Sequence, residues 1–179
     1  GDWVSIWGNE FDLTVTAPRL TNARDIEIMA NLGRTTLDFG ALTSISGHVD
    51  VEDNAQDLNL YWPKLTSVSG WLSLRYNGGD ITLFAPELQQ VLGDPLEISN
   101  NNITAITLPG LVTVPENFII SWNPLLTSLS LPALESAGEI DWHHNQALTA
   151  ISLPSLATVV QGFRVYNNGL LTTLFLPVL

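Results

Sequence analysis

The chain has no cysteine among its 179 residues. Neither a disulfide framework nor a thiolate metal site is therefore possible. Basic residues are scarce, 6 Lys+Arg against 18 Asp+Glu, and the formal net charge is -12. Such a field repels nucleic acid and anionic membrane surfaces, so neither is an expected partner. No apolar run approaches the roughly 18 residues of a membrane span, and no membrane insertion is expected. Charged residues of either sign make up only 13% of the chain, while 45% is hydrophobic, a balance that excludes a disordered polyelectrolyte. There is no Gly-rich phosphate loop and no Ser-His-Asp motif. The chain opens at Gly1-Asp2-Trp3 without Met and stops at Leu179 inside a repeat. The expectation is a mature or excised piece of a larger protein.

What is present is a period. Proline recurs at Pro63, Pro86, Pro109, Pro132, Pro154 and Pro177, spaced by 22 or 23 residues, with Pro18 two places earlier and Gly40 standing in the place between. Asparagine recurs in the same phase at Asn9, Asn31, Asn54, Asn77, Asn100, Asn123, Asn145 and Asn167. Two residue types sharing one period define a repeat architecture of about eight units over residues 1–179, one domain in all. Each unit carries two short segments of alternating character, such as Ile140-x-Trp142 and Ile151-x-Leu153. Period-2 alternation over so few residues predicts strand, and no stretch sustains a 3.6-residue period, so little or no helix is expected. A proline closes the second segment and a glycine (Gly47, Gly70, Gly93, Gly138, Gly162) marks the next corner. One such unit cannot bury its apolar side alone, but stacked units can. The predicted fold is all-β: a parallel β-solenoid of about eight leucine-rich turns. The asparagines are read as corner residues that satisfy backbone groups of neighbouring turns.

The units Leu126-Thr-Ser-Leu-Ser-Leu-Pro-Ala-Leu-Glu-Ser-Ala-Gly138 and Phe163-Arg-Val-Tyr-Asn-Asn-Gly-Leu-Leu-Thr-Thr-Leu-Phe-Leu-Pro177 resemble receptor L-domain repeats. That leucine-rich-repeat relative occurs in growth-factor receptor ectodomains, fungal cell-wall proteins and bacterial surface proteins. The resemblance implies a right-handed solenoid, an extracellular, secreted or cell-surface setting, and a non-catalytic binding or wall role. The absence of cysteine departs from the disulfide-capped receptors.

Alternation also assigns faces. The inward pairs of the first strand are Val4/Ile6, Ile26/Ile28, Val49/Val51, Leu72/Leu74, Leu96/Ile98, Phe118/Ile120, Ile140/Trp142 and Phe163/Val165. Their outward neighbours form columns along the rod. These columns gather acids (Asp50, Glu97, Asp141), Arg75, His143 and aromatics (Trp7, Trp71, Tyr76, Trp122, Tyr166), while Trp62 and Trp142 fall inward. Exposed clustered aromatics mark a contact surface. These ten residues are the candidate ligand site. The expected ligand is a glycan or cell-wall polysaccharide, stacked on the aromatics and hydrogen-bonded by the polar groups. The competing expectation is a structural or self-associating adhesin that binds protein partners or further copies of itself. The outward acids Asp25, Glu27, Asp50, Glu52 and Asp53 make calcium a possible ligand. Paired carboxylates on one face raise glycosidase chemistry, but an open sheet does not desolvate a general acid, and no enzyme is expected. The second strand presents a small, hydroxyl-rich outer face; a flat threonine ladder there would suit ice binding, but Tyr61, Phe84 and Phe175 interrupt it.

Overall fold

The computed structural model describes residues 3–179, and among them there is no helix. The chain winds as a parallel β-solenoid. Eight front strands stack in order: Val4–Trp7, Ile26–Met29, Val49–Glu52, Leu72–Arg75, Leu96–Ser99, Thr113–Ser121, Ser136–His143 and Thr158–Tyr166. They number the repeats one to eight below. Because eight strands are linked by seven windings, the rod makes about seven full turns where the repeat count predicted eight.

Register follows the predicted columns. Val4, Ile26, Val49, Leu72, Leu96, Phe118, Ile140 and Phe163 lie side by side. The inward pairs of repeats two to seven are essentially sealed from solvent, as are Trp62 and Trp142. Burying each such side chain stabilises the fold by roughly 1.5–3 kcal/mol before entropy is counted. Alternation is what makes this core: every second residue of a strand points to the same side, so one apolar stripe per repeat suffices.

The asparagine ladder runs beside the front sheet and differs from the predicted one at two places. Its members are Asn9, Asn31, Asn54, Asn77, Asn101, Asn123, Asn145 and Asn168. Asn100 and Asn167 are instead the residues just before, and both have positive φ. In each step the Oδ1 of one asparagine accepts the backbone N–H of the previous member. Asn31 N–H donates to Asn54 Oδ1 at 3.1 Å, and Asn54 N–H to Asn77 Oδ1 at 3.1 Å. The side-chain amide turns back to a front-strand carbonyl. Asn54 Nδ2 donates to Ile28 O at 2.8 Å, and Asn101 Nδ2 to Leu74 O at 2.8 Å. Backbone groups at a buried corner must find partners, and the carboxamide supplies both a donor and an acceptor at one position.

The repeats fall into two classes, with the repeat after Asn101 (inward Ile103, Ile106 and Leu108) as the transition between them. After Asn54 and Asn77 the inward back-strand residues come four, six and eight positions on: Leu58, Leu60 and Trp62, then Ile81, Leu83 and Ala85. After Asn123 and Asn145 they come three, six and eight positions on: Leu126, Leu129 and Leu131, then Leu148, Ile151 and Leu153. One of the two breaks in the back sheet falls where the class changes. Leu13–Thr16, Thr35–Asp38, Leu58–Tyr61 and Ile81–Phe84 form one sheet, whereas Ala105–Thr107 pairs with Ser128–Ser130 and not with Ile81–Phe84. A cleft of about 280 Å³ opens at the break, lined by Ile81, Thr82, Phe84, Pro86, Ala105 and Thr107 among others. The front sheet crosses the same boundary without interruption.

Candidate functional site

The site is built on the outer side of the front sheet and on the corner that follows it. That corner is conformationally unusual. Gly8, Ala30, Asp53, Tyr76, Asn100, Trp122, His144 and Asn167 occupy the same place in successive repeats, and all have φ between 53° and 69°. The left-handed conformation lets the chain leave the strand and present the next asparagine to the ladder. It costs roughly 1–2 kcal/mol for an ordinary L-residue and suits glycine or asparagine. Two repeats place bulky aromatics there, Tyr76 and Trp122, with 53% and 51% of their surface exposed. Neither therefore recovers the strain by burial in the core.

The predicted residues separate into three groups. In repeats three to five, Asp50, Trp71, Arg75 and Glu97 share a shallow depression of about 320 Å³ with Ser73, Asp94 and Pro95. His48 stacks on Trp71, ring centroids 4.1 Å apart and planes 11° from parallel. Its Nδ1 lies 3.0 Å from Asp25 Oδ1 and its Nε2 lies 3.5 Å from Glu27 Oε1, which fixes the imidazole against the indole. Arg75 Nη2 sits 3.3 Å from Glu52 Oε2 and 3.7 Å from Asp50 Oδ1. Burial pushes the Asp50 carboxyl above its usual range, opposed by the Arg75 and His48 charges and reinforced by Glu27 and Glu97. Ser99 Oγ donates to Glu97 Oε1 at 2.5 Å, which orients that carboxylate.

In repeats six to eight, Trp122, His143 and Tyr166 come together with His144. The Trp122 and His144 rings stack at 3.9 Å, and His143 stacks on Tyr166 at 4.7 Å. The two imidazoles meet through their Nδ1 atoms at 2.8 Å, so one ring donates to the other. Burial lowers the His143 pKa below the usual histidine value; Asp141 opposes that and His144 adds to it. Asp141 lies two residues before His143 on the same side of the strand, facing Ile119 and Arg164 in register.

Trp7 stands apart. It lies in the first repeat, 73% exposed, beside Trp3, Ser5, Glu27 and Met29. Tyr76 occupies the corner directly after Arg75 but stacks on no neighbouring ring. The back-sheet outer face carries Thr14, Asn59, Thr82 and Ser128 in exposed positions, with Tyr61 and Phe84 stacked at 5.2 Å.

The sequence reading missed three members. Ser73 falls in an outward column, yet only 2% of it is exposed, because longer neighbours cover it. His48 and His144 were visible as column residues, but periodicity carries no signal for which rings stack. Among the described residues no group of three or more His, Asp or Glu is placed to hold a metal ion. Several acids of the calcium candidate instead face cations: Asp25 meets Arg24 and His48, and Glu52 meets Arg75.

No protein-family model, curated protein or solved structure matches the chain. What the fold and the face define is a parallel β-solenoid with an acidic, aromatic-bearing sheet on one side.

Proposed function

We propose that this chain is a non-catalytic, carbohydrate-binding module of an extracellular or cell-surface protein. We also read its repeats as relatives of the receptor L-domain, leucine-rich class, as their LxxLxLP units suggest. The observation that carries the glycan reading is the pair of strained, half-exposed aromatics, Tyr76 and Trp122, two repeats apart on one corner. The positive φ is common to every corner; what sets these two apart is that each carries a large ring left half in solvent. The adjoining face adds a Trp71 platform braced by His48 and a His143–Tyr166 stack. Apolar sugar faces lie flat on such rings, while carboxylates and imidazoles meet the hydroxyls. Neighbouring strands are about 4.8 Å apart, close to the length of one sugar ring, so an extended glycan along the rod stays in step with the repeats.

The test is a pull-down of the folded domain on a panel of insoluble polysaccharides, with and without calcium. Trp71→Ala and Tyr76→Gly should each weaken retention at least tenfold. Tyr76→Gly should keep stability within about 1 kcal/mol of the parent, since glycine relieves the positive-φ strain while loosening the unfolded chain. Retention by none of the polysaccharides, or retention unchanged in both variants, overturns the reading.

A further inference from the structure

We propose that the depression between Trp71 and Arg75 is a subsite for an amino sugar, whose ammonium group sits against Asp50, Ser73 and Glu97 while its ring lies on Trp71. The proposal rests on the glycan reading above and names the sugar class.

Three acids line this depression, Asp50, Asp94 and Glu97, against one cation, Arg75. Its Nη2 faces Glu52 and Asp50, while its Nε is buried without a hydrogen bond. Glu27 adds further negative charge to Asp50 from the neighbouring strand. His48, the remaining cationic candidate, is turned to Asp25 and Glu27. The local field therefore favours a cation and repels uronate or sulfate groups.

Two buried oxygens in the depression take no hydrogen bond within the chain: Ser73 Oγ and Asp50 Oδ1. They lie side by side, because Asp50 pairs with Ser73 in the parallel register and Ser73 with Glu97 on its other flank. A buried polar oxygen without a partner costs roughly 1–3 kcal/mol, so this row is built for a donor from outside. An ammonium offers three donors and a positive charge, whereas a sugar hydroxyl offers one donor and none. N-acetylation removes that charge and two of those donors. His48 covers the repeat-three face of Trp71, and the opposite face looks toward Pro95 of repeat five, where the depression opens. A ring seated there places a substituent over Ser73.

The experiment is titration calorimetry of the intact domain at mildly acidic pH with five soluble probes. They are β-1,4-linked glucosamine pentamer, its N-acetylated form, the corresponding glucose pentamer, a galacturonate oligomer and pentalysine. The glucosamine oligomer should bind at least tenfold tighter than any other, a gap of about 1.4 kcal/mol. Added salt should narrow that preference. Glu97→Gln and Ser73→Ala should each reduce it severalfold without lowering the unfolding midpoint, and Ser73→Ala, which removes an unpartnered buried hydroxyl, should raise that midpoint. Equal binding of the glucose or N-acetylated oligomer overturns the amino-sugar assignment and leaves the glycan reading standing. Pentalysine binding as tightly as the glucosamine oligomer overturns the assignment in favour of a peptide cation. Failure of every sugar here and of every polysaccharide in the pull-down, with the domain shown folded, overturns both.

Discussion

The front and back of this solenoid are made by the same windings, yet one sheet is continuous and the other is in pieces. Eight front strands pair without a gap from Val4–Trp7 to Thr158–Tyr166. Behind them the ladder fails between Ile81–Phe84 and Ala105–Thr107, and again between Ser128–Ser130 and Ala150–Ser152. The asparagines explain the difference. They lie at the end of each front strand and tie it to the next repeat through both side-chain and backbone atoms. A change in the offset of the first inward residue, from four positions after Asn77 to two after Asn101 and three after Asn123, is absorbed downstream of that clamp. The back strands, shortened from four residues to three, take up the mismatch. The aromatic and acidic face sits on the clamped side, where side chains on successive repeats hold a fixed spacing.

Three measurements sharpen or break this contrast. The largest effect belongs to the clamp. Asn77→Ala removes the acceptor for Asn54 and the donor to Val51 O and Arg75 O, and leaves Asn101 Oδ1 with the backbone N–H of residue 77 alone of its two donors. With several buried groups stranded at roughly 1–3 kcal/mol each, urea unfolding should register a loss of about 4 kcal/mol. Asn59→Ala on the exposed back face should stay within about 0.5 kcal/mol. Comparable losses for the two variants would show that the ladder has no special role.

Next comes the corner between the front strands and the two-residue strands that precede them in the early repeats, Asn22–Ala23, Ser44–Ile45, Ser67–Val68 and Gln90–Val91. A methyl group at Gly70 would lie 2.5 Å from the Gly47 carbonyl oxygen, a backbone atom that cannot turn away. Gly70→Ala should therefore cost about 2 kcal/mol, as overpacked sites do. Gly138 holds the same position in a later repeat and meets the Pro115 carbonyl just as closely, whereas Gly162 stands one register position further on, opposite Glu139. There a methyl group meets nothing nearer than the Arg164 side chain at 3.9 Å, and Gly162→Ala should be nearly neutral. Thermal unfolding of the two variants decides it; equal shifts would show that close backbone approach does not set the cost at this corner.

The smallest effect is a pH dependence confined to the late repeats. The folded state holds His143 below the usual histidine pKa, so between the two values the unfolded chain binds more protons. The stability linked to this group is present above the ordinary histidine pKa and lost as pH falls through the lowered folded value. Thermal unfolding of the parent should weaken on acidification across that window, and His143→Gln should flatten the profile. An unchanged profile in the variant would separate the His143–His144 contact from stability.

Much of this was legible in the chain. The proline and asparagine periods gave the repeat, and alternation gave the faces, down to the inward placing of Trp62 and Trp142. The two corrected ladder positions show where pattern runs out. Asn100-Asn101-Asn102 and Asn167-Asn168 offer adjacent asparagines of identical chemistry. Spacing alone cannot choose between them, whereas the left-handed turn can, because it rotates only the second of each pair toward the core. Trp122 sits on the residue where strand alternation ends, so alternation alone does not fix its exposure.

Sequence by itself determined the solenoid, because a 22–23-residue period of apolar pairs can bury its stripe only by stacking on copies of itself. It also determined which columns face water, since side-chain alternation in a strand is fixed by covalent geometry. The tertiary structure alone decided which outward residues meet. Parallel register brings residues 22–24 apart within one strand spacing, and it is there that His48 covers Trp71, Trp122 lies on His144, and Ser73 is enclosed between Asp50 and Glu97.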